Sequence, residues 1–240
     1  SLDAEIKQTL EKRMPLYQNA ADYTINREHK HVKQTVDEIL ELVSTKTLEQ
    51  RTKMKTEICV SIVETSLFEA KQSIEDAGEK ADILELRLDF IKDLNKEDIK
   101  DLIELAQSKK PVIITCRRKQ DHGYFEGTEE ERIELLKEGI KQNADYIDLE
   151  CNIPEDIIKN IIENKQQTQI ILSYHNFNHT PDIETLQRIY TTIKKKNPDI
   201  IKIVTKAISI NDNLIIFELL NNKNDLISFC MELEGQISRI

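Results

Sequence analysis

A chain of 240 residues with 39% apolar and 32% charged side chains has enough material for a full hydrophobic core, and fits one large domain or one domain with an appendage. Its formal net charge of −10 leaves no basic surface for non-specific nucleic-acid or anionic-lipid binding, while a small anionic substrate stays compatible. No apolar run approaches the roughly 20 residues of a membrane span, and residues 1–20 carry no signal-peptide pattern, so the chain reads as cytoplasmic.

Residues 1–55 read as an appendage. They contain a helical stretch, a short segment "ADYTI", a polar stretch with His29 and His31, a second helix "VKQTVDEILELVS" and a charged linker. The two histidines read as solvent-facing rather than as metal ligands. The second region, 56–240, is built on a repeat. Runs rich in β-formers occur at 57–63, 82–90, 111–117, 144–151, 169–175, 199–205 and 225–231, with starts 25 to 33 residues apart. Between them lie amphipathic stretches such as "KEDIKDLIELAQSKK" and "EEERIELLKEGIKQN", with apolar residues at three- and four-residue intervals. Strand and helix alternating at this period predict parallel βα units.

Polar residues recur at one parity of these strands: Glu85, Arg87 and Asp89 in the second, Asp148 and Glu150 in the fourth, Ser173 and His175 in the fifth. An open sheet covered by helices on both faces has no place for so many charges, whereas a barrel has an interior for them. The fold class is therefore α/β, a (β/α)8 TIM barrel. An eighth strand at the same period would start beyond Ile240, so seven units are expected here, with the edges of strands one and seven open to association. Cys59, Cys116, Cys151 and Cys230 form no CxxC pair and each sits in or beside an apolar run, which predicts buried free thiols and no zinc site.

The run "DIIKIVTKA" (199–207) places Lys202 among Ile200, Ile201, Ile203 and Val204. A buried lysine whose pKa falls toward roughly 7–8 is a nucleophile that can form an imine with a ketone or aldehyde. His175, at the end of the neighbouring strand, can move protons beside such an imine. Arg87, Arg117 and Arg239 offer fork-shaped donors for a carboxylate or hydroxyls, which together predict a small, anionic, oxygenated substrate. The opposing structural reading pairs Lys202 with an inward carboxylate such as Glu150, packs His175 in the core and makes Glu85 and Arg87 an ion pair. Lys206 shares the face of Lys202 but is expected in the following loop.

The pieces "ILELRLD" (83–89), "VIITCRR" (112–118), "YFEGTEEERIELL" (124–136), "ADYIDLE" (144–150), "SYHNFNHTP" (173–181), "DIIKIVTKA" (199–207) and "MELEGQISRI" (231–240) resemble, in this order, the type I 3-dehydroquinate dehydratases of the shikimate pathway. The resemblance implies a (β/α)8 fold and a cofactor-free, metal-free dehydration of 3-dehydroquinate to 3-dehydroshikimate through a lysine imine. Carried over by motif, Lys202 is the imine lysine and His175 the general acid/base. Glu85, Arg87, Arg117, Met231 and Arg239 match substrate-binding positions, with Glu150 orienting His175. The acidic position after the third strand falls on Asp121, where the usual "EGG" reads "DHG" (121–123). In the seventh strand Met231-Glu232 replaces the Met-Gly of many relatives.

The segments "EKRMPLYQNAADYTI" (11–25) and "VDEILELV" (36–43) resemble the C-terminal end of shikimate kinase, with Arg13 at a shikimate-contacting position. No GxxxxGK[ST] occurs in this sequence, so kinase activity of this chain is excluded. The chain is thus expected to be a piece of a fused shikimate-pathway polypeptide, partnered by neighbouring pathway domains or by a second copy in a homodimer. Two other readings remain: another class I imine-forming lyase such as an aldolase, and a non-catalytic scaffold.

Overall fold

Residues 57–239 are described by a computed structural model of the protein. The shikimate-kinase-like segment, Arg13, His29 and His31 lie outside the described residues. Seven strands alternate with six helices: β1 (Cys59–Ile62), α1 (Leu67–Gly78), β2 (Ile83–Arg87), α2 (Lys96–Gln107), β3 (Val112–Thr115), α3 (Glu129–Lys141), β4 (Tyr146–Glu150), α4 (Glu155–Glu163), β5 (Gln169–Asn176), α5 (Ile183–Lys194), β6 (Ile200–Lys206), α6 (Asp212–Leu220) and β7 (Leu226–Met231). All neighbouring strands pair in parallel in chain order, β1 to β7, as one curled sheet. This is the arrangement of a TIM-like barrel lacking one unit.

Strand alternation divides each β-element between two environments. Leu84, Leu86, Val112, Ile114, Ile147, Leu149, Ile170, Leu172, Ile201 and Ile203 pack outward into one core with the helices. The helices supply the matching stripe at three- and four-residue spacing, for example Ile99, Leu102, Ile103 and Ala106 of α2 and Ile133, Leu136 and Ile140 of α3. Helix starts are capped from the sequence: Asn95 and Thr128 each accept from backbone N–H groups of the first turn, and Asp98 and Glu131 complete reciprocal capping boxes. At Gly139 a Cβ would approach Ile147 Cδ1 to 2.9 Å, so its absence lets α3 lie close on the sheet.

The other parity faces inward and is layered by register. Ile83, Ile113, Tyr146, Ile171, Ile200 and Ile227 supply most of the lining of a cavity of about 180 Å³ at the strand N-termini, to which Glu57, Asn224 and Asp225 add polar groups. Above it the polar residues begin. Among the described residues the sheet ends at β1 and β7. Apolar side chains stay exposed near both: Ile58, Val63 and Phe68 by β1, and Leu214, Phe217, Leu233 and Ile237 on α6 and the 3-10 segment Leu233–Arg239 after β7.

Several details depart from the sequence expectations. Asp89 falls in a 3-10 turn (Leu88–Phe90) rather than in β2, because the chain turns as soon as Arg87 has been placed. Lys206 is the last residue of β6, paired with Met231, rather than part of the loop. Of the cysteines expected to be buried, Cys116 and Cys230 are; Cys59 is exposed and Cys151 half-buried, Cys59 lying on an edge strand and Cys151 just past the end of β4.

A device at the strand N-termini was not anticipated. The aspartate preceding a strand accepts the backbone N–H that opens the neighbouring strand: Asp82 from Ile58, Asp145 from Val112 (2.9 Å), and Asp199 from Ile170 (2.8 Å). Each carboxylate satisfies a donor that the parallel ladder leaves unpaired and so fixes the stagger between adjacent strands. Asp145→Ala should therefore lower stability by about 1–2 kcal/mol in urea titration, while Asp145→Asn, which keeps the acceptor, recovers most of it.

Candidate active site

The inward residues above the apolar floor form a cluster of buried charge. Asp148, on β4, is almost wholly inaccessible (1%) and accepts from three side chains: Lys202 Nζ at 2.8 Å, Arg117 Nη2 at 2.8 Å and Ser173 Oγ at 2.7 Å. Register produces this meeting. Ser173 lies opposite Lys202 on β6 and Glu150 on β4, which places Asp148 one inward position below. Glu85 of β2 lies 3.7 Å from the amine of Lys202 and accepts hydrogen bonds from Thr115 and Ser61. Arg117, two residues past β3, spends its other Nη atom on Glu150 (3.1 Å) and Ser173 (3.0 Å).

Glu150 points its carboxylate at two guanidinium groups, Arg117 and Arg132, rather than being engaged by His175. Arg132 sits on α3, is fully buried, and also donates to the Cys116 carbonyl at 2.8 Å and to Glu129. Three cations (Arg117, Arg132, Lys202) thus face three carboxylates (Glu85, Asp148, Glu150). Of these, sequence reasoning named Asp148 only as inward-facing and did not single out Arg132. The signal for Arg132 was its place on the apolar stripe of α3, four residues before Leu136.

The electrostatics follow from this geometry. Burial would raise the Asp148 carboxyl, but Arg117 and Lys202 hold it far below the usual carboxylate range. Burial would likewise raise Glu85, and the Lys202 charge together with the Ser61 and Thr115 hydroxyls carries it below its ordinary value. For Glu150 burial prevails and its pKa is raised. Burial alone would depress the Lys202 amine; Asp148 and Glu85 outweigh it, and the pKa is raised. This corrects the expectation of a depressed lysine: the resting side chain is an ammonium ion, because two carboxylates meet it in the interior.

His175 lies one inward position above Ser173 on β5, half-buried. Burial, then the Arg117 charge, depress its imidazole to about 3, so it is neutral at pH 7. Its ring stacks on Phe177 at 5.8 Å between centroids. Around this centre, Arg87 at the end of β2 makes a two-point contact with Asp89 (2.9 and 2.7 Å) and lies 4.8 Å over the Phe90 ring. Asp89 also lines a cleft of about 630 Å³ with Phe90, Lys92 and Tyr124. Met231 is half-buried at the end of β7, and Arg239 donates to the Cys230 carbonyl at 3.0 Å with its guanidinium 5.8 Å over Phe229. Asp121 pairs with Arg118 rather than entering the charged cluster. Among the described residues no three His, Cys, Asp or Glu side chains are placed to hold a metal ion, and no helix is long and apolar enough to cross a membrane.

The depressed imidazole gives a stability test. The folded pKa of His175, about 3, lies below its ordinary 6.5, so the unfolded chain takes up a proton between these values that the folded chain does not. Stability contributed by the neutral ring falls as pH drops through that window. Relative to the parent, His175→Asn should gain stability as pH falls from 7 to 4, by at most about 1.4 kcal/mol per pH unit, in urea titrations at fixed pH steps. Parallel stability profiles would show that the ring is not held neutral.

The chain is similar to known proteins across the region that carries these residues. The family model of type I 3-dehydroquinase matches residues 58–240. A 3-dehydroquinate dehydratase of Methanococcus maripaludis strain C7 is 36% identical over 186 residues, covering 76% of this chain and 83% of that one. The corresponding protein of Methanocaldococcus jannaschii is also 36% identical, covering 76% and 82%. A bifunctional chloroplastic 3-dehydroquinate dehydratase/shikimate dehydrogenase of Arabidopsis thaliana is 34% identical over 187 residues, 76% of this chain and 31% of that one. Among solved structures, the fold is similar to the type I 3-dehydroquinate dehydratase of Clostridium difficile (TM-score 0.70, 23% identity, 76% and 78% covered) and to the 3-dehydroquinate dehydratase of Aquifex aeolicus (TM-score 0.67, 26% identity, 76% and 83% covered). With the inward lysine, the histidine above it and a family match across every described strand, this chain belongs to the type I 3-dehydroquinase family.

Proposed function

We propose that the chain dehydrates 3-dehydroquinate to 3-dehydroshikimate through an imine on Lys202, with His175 as the general acid/base. The observation that carries this is a neutral imidazole near the C-terminal end of β5, the side on which barrel enzymes place their chemistry, one inward layer above a buried amine on the adjacent strand. Lys202 rests as an ammonium ion and has to lose one proton before it can add to the substrate ketone; neutral His175 is a base able to take it. The amine adds, the carbinolamine hydroxyl leaves as water with a proton returned by the imidazolium, and a cationic imine remains. His175 then takes the C2 proton, the C–H electron pair moves into the imine to give an enamine, and its return expels the hydroxyl, protonated by His175. Hydrolysis of the conjugated imine frees Lys202.

Asp148 and Glu85 stabilise the iminium as they stabilise the ammonium, because both cations occupy the same position. In this reading Glu85, Arg87, Arg117 and Met231 line the substrate position and Arg239 holds its carboxylate. Arg117 keeps one edge of its fork on Asp148 and Glu150, so its part is to fix that pair as much as to meet substrate. Glu150 supports the site through Arg117, and Asp121 through Arg118. The aldolase alternative requires the same lysine but not this set of arginines. Residues 1–55 are read as the end of a shikimate-kinase-like neighbour in a longer cytoplasmic polypeptide; the Arabidopsis relative supports only that a dehydratase of this kind occurs fused to another enzyme, there a shikimate dehydrogenase.

Borohydride added with 3-dehydroquinate should leave a reduced adduct on the tryptic peptide containing Lys202. An adduct on Lys206 instead would remove the assignment. His175→Ala should lower formation of the conjugated product, followed by absorbance, by about 10²–10⁴-fold while adduct formation persists. Absence of turnover in the parent would favour the scaffold reading.

A further inference from the structure

The loop between β3 and α3 carries a histidine that the reaction above does not use. His122 has φ 59°, the left-handed region, and its exposed ring stacks on Phe177 at 4.0 Å between centroids with 29° between planes. Phe177 in turn stacks with His175 at 5.8 Å and 12°. Three rings, His122 and Phe177 from two loops and His175 from β5, therefore run in a stack from the surface to the imidazole.

The turn that presents His122 is rigidly tied. Its N–H donates to the Lys119 carbonyl and that of Gly123 to the Arg118 carbonyl. Arg118 binds Asp121 and reaches Asn152 beyond β4. A Cβ at Gly123 would come within 2.1 Å of the Arg117 carbonyl oxygen, so the loop lies directly against the backbone of the residue that binds Asp148 and Glu150. Phe177 follows the last strand residue, Asn176, whose side chain accepts from the backbone of Asn178 and His179. The hydrogen bonds of that turn are made by Asn176, and the Phe177 ring itself lies against the face of His122.

We propose that His122 is a positioning residue for the dehydration: by stacking on Phe177 it holds the His175 ring in the orientation that proton transfer needs. This rests on the reading of His175 as acid/base. A ring released to rotate by a fraction of an ångström transfers protons more slowly without binding substrate less well, so the effect belongs in kcat rather than KM.

The test uses two substitutions of the full chain. His122→Gly removes the ring while suiting the positive φ, so the turn is relieved rather than strained. His122→Phe keeps a stacking ring. Expected for His122→Gly are an unchanged or higher melting temperature, a kcat lower by about tenfold, a KM within about twofold of the parent, and a shifted or broadened ring NMR signal of His175, assigned by its loss in His175→Asn. His122→Phe should restore kcat and the signal. Parent kcat and an unmoved His175 signal in His122→Gly would overturn the proposal, and so would a His122→Phe no better than His122→Gly. If His175→Ala keeps parent turnover, the acid/base reading fails, and with it the kinetic part of this proposal; the NMR signal still decides whether His122 holds the ring.

Discussion

The site depends on one carboxylate, that of Asp148, which is almost wholly buried and accepts from an ammonium, a guanidinium and a hydroxyl. A buried ion survives only when paired and hydrogen-bonded, and removing one member of such a group costs about 3–5 kcal/mol because another is left uncompensated. The remaining pairings follow as consequences. Arg117 binds Asp148 with one Nη atom and Glu150 with the other; Glu150 in turn draws in Arg132 from α3, and Lys202 is shared with Glu85. Arg117, Arg132 and Lys202 meet Glu85, Asp148 and Glu150 inside a shell of aliphatic side chains, with Arg132 also paired to Glu129.

Pairing of this kind is also a chemical choice. A lysine in an apolar pocket would be a free amine at rest. Here it is an ammonium ion beside a neutral imidazole, a protonation pattern set by carboxylates on one side and by burial and Arg117 on the other. The same carboxylates that keep the amine charged would keep any cationic nitrogen at that position charged, so the site suits a cation and not a free amine. The parallel sheet makes room for this: one inward position per strand per layer brings Glu85, Asp148, Ser173 and Lys202 together from four strands, and Arg117 joins them from just past β3.

Much of this was legible in the sequence, because period and parity are local properties. The spacing of β-rich runs located all seven strands, and the recurrence of charge at one parity identified an interior. What was hidden depends on stagger between strands. Four carboxylates (Glu85, Asp89, Asp148 and Glu150) were expected to face inward, and only the register, fixed partly by aspartates such as Asp145 and Asp199, decides that Asp148 and not Glu150 meets Lys202. For the same reason the direction of the Lys202 shift was misread, since burial is visible in a run of isoleucines and the approach of two carboxylates from other strands is not. Arg132 was masked by acidic neighbours in "EEERIELL", although its spacing to Leu136 and Ile140 put it on the buried stripe. His122 stood out only as a departure from "EGG"; its contact with Phe177 joins loops more than fifty residues apart.

The central claim is that Asp148 holds Lys202 as a charged partner in the resting site. Following the Lys202 side-chain methylene signals of 13C-lysine-labelled protein through a pH titration measures this directly, with Lys202→Met assigning the resonance. The account predicts a pKa above the ordinary 10.5 in the parent and a lower value in Asp148→Asn, where burial is no longer outweighed. A Lys202 that titrates below 10.5 in the parent, or whose titration ignores Asp148→Asn, would contradict it.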